Sequence, residues 1–439
     1  MQFELNKKIR ENEILKVVQT TEPVMTGVKL PIRPDKVFNV HKVPIEMLVY
    51  NHLNDRFASK SREHEIDTGE RLSVDSQENL LLIEKFIWES NITSNQETIK
   101  DLAQNGQLKY GIITEDGRII DGNRRASLIR RIYYSDSKDF PNINKENFRY
   151  FLCVVLPGNI SDDEMLVLET KIQMGEDDKV DYNPIEKYLK VDKLVRSGKT
   201  FDEIAGMIKS VKNGKAANEM HDIYKLMVRY LEYIEAPNHF SIISKYEDHF
   251  IKLNKTIEYF RNGTYSANWR PKDSDFIEFE QVAFHYIRKG HEGKDFRNLM
   301  GGKTDQKGIF SNIDVWGKFV KKHDPIIDEA NDDLRRKHFD NVIQREDYWI
   351  SKTSSKLDTI FRRAKESINN RDAENKPKDL AEGALEKLQL IDIDLAIFRY
   401  EHNGKDQKTI QDLYKILSEI NKMTEQMKDK IVKDVFKKN

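Results

Sequence analysis

Twenty-one residues, Gly111 to Arg131 (GIITEDGRIIDGNRRASLIRR), constrain this chain more than any other stretch. Two β-rich runs, Gly111 to Thr114 and Arg118 to Ile120, flank Asp116-Gly117, a dipeptide suited to a tight hairpin turn. The second run ends at Asp121-Gly122, and from Arg124 onward Leu128, Ile129 and Ile132 recur at helical spacing. Arg124 and Arg125 therefore belong to the first turn of a helix, beside backbone N–H groups and the positive end of the helix dipole. Two cations are unfavourable there unless an anion docks, in which case N–H groups, dipole and both guanidiniums face one phosphate. The plainer alternative is a hairpin followed by a surface helix with solvated arginines.

Other landmarks occur in order around this run. Upstream stand VPIEMLVYNHLNDRF (Val43 to Phe57) and IKDLAQNG (Ile99 to Gly106); downstream stand YFLCVVL (Tyr150 to Leu156), Asn183-Pro184-Ile185-Glu186, and LVRSGKTFDEIAGMI (Leu194 to Ile208). Taken together with the DGNRR turn, this series resembles the ParB/sulfiredoxin-like superfamily over about residues 38 to 235. The resemblance implies an α+β N-terminal domain whose strand-to-helix turn holds nucleotide phosphates, followed by predominantly α-helical domains that begin with a ParB-like helix-turn-helix segment. It further implies a nucleoside triphosphate (ATP or CTP) with Mg2+ as cofactors, DNA as partner, and a place in plasmid maintenance or phage defence. Gly122 would let the backbone approach the phosphates, Asn123 would hydrogen-bond to them, Arg124 and Arg125 would neutralise them, and Arg56 would be a remote cation. Asp121 and Glu169 would serve as metal ligands and, with Gln173, as candidate catalytic residues.

The chain also departs from the family. Partition proteins carry Glu-Asn-x-x-Arg before the NPIE run, whereas this chain reads KIQMGEDDKVD from Lys171 to Asp181, with Glu169, Gln173, Glu176, Asp177 and Asp178 as substitute oxygen ligands. Sulfiredoxin chemistry needs a cysteine in the box, and Asn123 offers no thiolate. The DGxxR form is closer to nuclease-like and kinase-like branches. A metal-dependent nuclease is thus the alternative enzyme, and a non-enzymatic NTP- or DNA-sensing scaffold the alternative without catalysis. Thr68-Gly69-Glu70-Arg71 imitates the box inside a polar stretch, Lys60 to Gln77, that reads as loop.

Composition limits what remains. The chain has 439 residues, 38% hydrophobic and 33% charged, with a formal net charge of −1. No global field draws it to nucleic acid, so any DNA contact needs a local patch. Cys153 is the only cysteine and sits in an apolar run, which excludes an internal disulfide and suits a buried hydrophobe. No apolar run approaches a membrane span, so no membrane partner and a cytoplasmic location are expected.

The expected organisation is an N-terminal extension (1–37) containing a strand-like LKVVQT, an α/β domain (38–158), a helix-turn-helix-like domain (159–237) and a C-terminal helical domain (238–439). Thr200 caps a short helix, Phe201 to Lys209, followed by a turn and a longer helix from near Lys215; Lys209, Lys212 and Lys215 are the candidate DNA contacts. Glu219 and Asp222 on the second helix would repel phosphates, which also suits an ordinary helical hairpin. After Pro325 four long helices are expected, at about 326–352, 355–370, 380–400 and 409–438. In the last, Ile410, Leu413, Leu417, Ile420, Met423, Met427, Ile431 and Val435 form an apolar stripe suited to packing within the chain or to a homodimer or partner protein. Arg335-Arg336-Lys337 is a basic cluster with acids interspersed around it.

Overall fold

The computed structural model describes residues 2–51, 57–136, 139–140, 143–174, 184–301, 307–394, 397 and 407–436. It is predominantly helical, with one five-stranded mixed sheet near the N-terminus. The sheet order is β1 (Met25–Val28), β2 (Phe38–Pro44), β5 (Tyr150–Leu156), β3 (Gly111–Thr114), β4 (Ile119–Asp121). β3 runs parallel to β5, with Gly111 opposite Cys153, and the other pairings are antiparallel.

Alternation along the strands makes the sheet two-sided. Ile113, Ile119, Phe151 and Cys153 bury into one core together with α3 (Gln77–Ser90), α4 (Ile92–Asn105) and α5 (Asn123–Tyr134). Ile112, Ile120, Val154 and Leu156 bury into a second core closed by Leu30, Ile32 and Leu168 of α6 (Asp162–Met174). Cys153 is fully enclosed, and burial pushes its thiol well above the usual range, so it behaves as a small hydrophobe.

The N-terminal residues depart from expectation. LKVVQT is not a strand but the end of α1 (Lys7–Thr20). The Asn6 side chain accepts from the N–H groups of Lys8 and Ile9, and Arg10 and Ile14 bury one helical turn apart, which outweighs the β-branched pair Val17-Val18. The segment after α1 supplies an edge strand and part of the second core, so it belongs to the sheet unit. The first half of the stretch from Lys60 to Gln77 that reads as loop is helical too, as α2 (Ala58–Thr68). Gly69 ends that helix at φ 73°, a left-handed cap, and Arg71 pairs with Glu65; the TGER imitation is a helix terminus.

A third core joins α6 to α7 (Pro184–Arg196), α8 (Phe201–Met207) and α9 (Gly214–Tyr233) through Met174, Val191, Leu194, Ile204, Ile208, Val211 and Ala217. Beyond α9 come α10 (Glu247–Arg261), α11 (Asp273–Arg288), α12 (Gly293–Met300), α13 (Ile313–Arg335), α14 (Val342–Gln389) and α15 (Gln407–Ile431). Pro325 does not open a helix; it lies within α13. The buried stripe Val315, Trp316, Phe319, Val320, His323, Ile327 and Ala330 runs through it and offsets the one backbone hydrogen bond that proline removes. The break falls instead between Arg335 and Val342, and α14 continues through the gap expected at 371–379.

Contacts divide the chain between Ala364 and Lys365, inside α14, and not at residue 237. Tyr188 donates to Glu247 at 2.8 Å, His239 contacts Asp67 at 3.1 Å, and the Ser241 N–H donates to Glu63 at 2.6 Å, tying residues beyond 237 to the sheet-bearing half. In the second unit no apolar side chain beyond Ile368 is buried among the described residues. Tyr414, Ile416, Met423, Met427 and Ile431 are each more than half exposed.

The first unit contains a set of enclosed histidines with an acid-sensitive consequence. His249 Nδ1, His285 Nδ1, His291 Nε2 and His323 Nε2 are buried without hydrogen-bond partners. Burial lowers the affinity of all four for a proton, with His291 brought to about 4. Below the unfolded histidine value of ~6.5 the unfolded chain binds protons that the folded one refuses, so the stability these groups contribute is present above that pH and falls as pH drops toward 4. Urea midpoints measured between pH 7.5 and 4.5 should therefore decline. Substituting His291 by Gln should flatten the decline; an unchanged slope would remove His291 from the account.

Candidate phosphate-binding turn

The strand β4 ends at Asp121, Gly122 takes φ 102°, and α5 begins at Asn123. Only glycine adopts that backbone without strain, and a Cβ here would also stand 2.9 Å from Phe151 Cζ. No side chain caps α5, in contrast to α1, α3, α4 and α9, which are capped by Asn6, Ser76, Asn91 and Asn213. Asn123, the first residue of α5, turns its side chain inward: it accepts from the N–H of Asn51 at 3.2 Å and donates to the Ile119 carbonyl at 3.3 Å. Asn123 thus joins the segment leaving the first landmark to the turn, and its side chain is committed to structure.

The two arginines part company. Arg124 donates from Nε to Asn95 Oδ1 at 2.7 Å and from Nη2 to Ser94 and Thr98, all on α4. Asn95 is itself fully buried and donates to the carbonyls of Ile87 and Trp88, so the corner between α3 and α4 is built around it. Arg125 donates Nη1 to the Tyr110 carbonyl at 3.1 Å. Burial pulls its guanidinium below its ordinary value, and the Asp121 carboxylate partly offsets this. A partly desolvated cation whose hydrogen bond among the described residues is to a neutral carbonyl gains from an anion brought to it. The two guanidiniums, expected to face one phosphate together, separate: Arg125 stays at the turn with Asp121, while Arg124 is held against α4.

Arg56 lies outside the described residues, as do Glu176, Asp177 and Asp178. Glu169 is 4% exposed on α6 and faces α7, with Lys190 Nζ at 3.3 Å, Lys193 Nζ at 3.8 Å and Gln173 Nε2 at 3.4 Å. Lysines at that range compete with a divalent ion for the carboxylate. Glu186, of the NPIE run, accepts from the Ser59 N–H at 3.3 Å and from its hydroxyl, closing the first turn of α2. No group of three or more His, Cys, Asp or Glu suited to holding a metal occurs among the described residues. Asp121 alone still fits a magnesium ion carried in by phosphates, because such ions take one or two carboxylates from the protein and the rest from substrate and water.

The candidate DNA element has helix-turn-helix form. Thr200 and Glu203 make a reciprocal cap on α8, and Gly214 packs so closely on Asp202 that a Cβ would lie 2.2 Å from Oδ1. Lys209, Lys212 and Lys215 are exposed around this turn. Along α9, however, Lys215, Asn218, Glu219 and Asp222 share a recess with Asn254, Glu258 and Arg261 of α10, so acids alternate with bases and a neighbouring helix flanks the second helix.

Sequence reading missed Asn51, Ser94, Asn95, Thr98 and Tyr110, which fix the turn and its arginines from other elements. No periodicity marks them, although Asn91 to Thr98 is unusually polar for a helix packed on a core. No helix among the described residues is long and apolar enough to cross a membrane. Comparison with protein-family models, with curated proteins and with solved structures gives no match, so the geometry of this turn carries the functional argument alone.

Proposed function

We propose that the chain binds a nucleoside triphosphate with magnesium at the β4–α5 turn and couples that binding to action on DNA, as a ParB-like protein. The observation that carries this reading is Arg125: a partly desolvated guanidinium beside Asp121, at a helix start that has glycine in place of a capping side chain. The helix N-terminus and Arg125 would take the phosphates, and Asp121 would hold magnesium jointly with them. Arg124 would act indirectly, fixing the first turn of α5 to α4. Support for DNA comes from the exposed lysines at the α8–α9 turn, and the acids on α9 favour backbone contact at the turn over base reading along the helix.

Titration calorimetry with ATP, CTP, GTP and UTP in magnesium should give saturable binding for at least one nucleotide. Arg125→Ala should weaken it by ~1.5–3 kcal/mol, the range of a charged hydrogen bond. Equal affinity in both proteins would move the site elsewhere. A nuclease is the second reading, favoured by Asp121 as a metal ligand, and it makes the opposite demand: nicking of supercoiled plasmid without nucleotide, abolished by Asp121→Ala.

A further inference from the structure

A cavity of about 270 Å³ lies in the helical part of the first unit, far along the sequence from the β4–α5 turn, lined by Tyr233, Glu235, Arg288, Asn331, Arg335 and Arg345 among others. Arg288, only 7% exposed, donates Nε and Nη2 to the two oxygens of Glu346 at 2.6 and 2.8 Å. Arg288 lines the cavity, and its Nη1 makes no hydrogen bond among the described residues. The guanidinium is held rigid from below by the Trp349 ring, 4.3 Å from its centre. Arg345 is fixed as well, donating to the carbonyls of Ile234 and Glu235 at the end of α9 and approaching Glu346 at 3.3 Å. Arg335 reaches the rim from α13, and the Asn331 amide makes no hydrogen bond among the described residues.

Charge at this place does not cancel. Arg335, Glu235 and Asp332 are 79%, 88% and 56% exposed and screened by water, whereas the enclosed group is two guanidiniums, Arg288 and Arg345, sharing the one buried carboxylate of Glu346. Arg336 and Lys337 continue the positive surface from the same helix end. We propose that this cavity is a second anion site, for a phosphate group, either inorganic phosphate or a phosphate monoester. Planar donors from Arg288 and Arg335, with the Asn331 amide as a third, match an oxyanion bearing several acceptor oxygens. The cavity is ample for one phosphate group. The site would give the helical half its own phosphate sensor, independent of what binds at the β4–α5 turn.

The test is titration of the full chain with inorganic phosphate, and with acetate at matched ionic strength. Wild type and Arg125→Ala should bind phosphate with one shared saturable component that acetate does not occupy. Arg335→Gln should weaken that component at least threefold, and Asn331→Asp, which puts a carboxylate into the cavity, at least tenfold. Neither residue is buried, so both variants should melt like wild type. Absence of a saturable component, equal binding of acetate, or phosphate affinity indifferent to both cavity variants would each overturn the proposal.

Discussion

Arg130→Met should cost the first unit about 3 kcal/mol, among the largest losses open to a single side chain in the sheet-bearing half. Arg130 is fully buried in α5, and its Nη2 donates to the carbonyls of Ile45 at 2.6 Å and Leu48 at 3.0 Å. The guanidinium lies 3.9 Å from the centre of the Phe3 ring and 5.2 Å from that of Tyr50. Methionine keeps most of the packing but leaves the Leu48 carbonyl without this donor and the Ile45 carbonyl with only the Leu48 N–H at 3.3 Å, each lost bond worth ~1–3 kcal/mol, and part of that is returned because a cation whose Nε and Nη1 find no partner among the described residues no longer has to be desolvated. The exposed Arg71→Met is the control: that guanidinium is 86% exposed beside Glu65, and its loss should leave stability close to wild type. Urea denaturation of the two variants should separate them clearly, and a loss no larger than that of Arg71→Met would refute the clamp. The clamp also bears on the turn. The segment it holds continues through Val49, hydrogen-bonded to Gly117 and Ile119, to Asn51, whose N–H anchors Asn123.

What could be read from the sequence was what local chemistry determines. Asp116-Gly117 gives the hairpin, Thr200 and Glu203 give the start of α8, and the spacing of Leu128, Ile129 and Ile132 gives α5, because each signal acts within four residues. Strand β5 was legible because YFLCVVL is apolar on both faces, as a strand between two cores must be. The failures share one cause, tertiary packing overriding a local preference. LKVVQT is β-rich, but Ile14 and Arg10 bury it as a helix; Pro325 is a breaker, but seven buried side chains carry α13 through it. At the site, the sequence shows two adjacent arginines and physics places them in one helical turn. Their directions depend on partners elsewhere: Arg124 follows Asn95, Ser94 and Thr98 on α4, and Arg125 follows Tyr110. Nothing local distinguishes the two, and so the sequence reading assigned both to phosphate.

Gly111→Ala should impair the proposed site as severely as any change within the turn, although Gly111 carries no side chain and lies ten residues earlier. A Cβ at this position would stand 2.4 Å from Phe151 Cε1 and 2.8 Å from the backbone oxygen of Asp121. The Phe151 ring belongs to the first core and has little space to move, and it also limits Gly122. Relief must come from β4 moving away from β3, which shifts Asp121 and Gly122 against an α5 pinned by Arg124 and Arg130. Overpacking of this kind costs ~1–3 kcal/mol in stability. The larger effect should be on nucleotide, because a helix start displaced by a few tenths of an ångström misplaces both Arg125 and Asp121, and affinity should fall at least about tenfold. The double variant Gly111→Ala with Phe151→Leu separates the two overlaps. Leucine removes the ring clash and should recover stability, but the overlap with the Asp121 carbonyl remains, so affinity should recover only in part. Full recovery of nucleotide binding in the double variant would show that β3–β4 spacing does not set the turn; wild-type affinity in Gly111→Ala itself would place the nucleotide away from it.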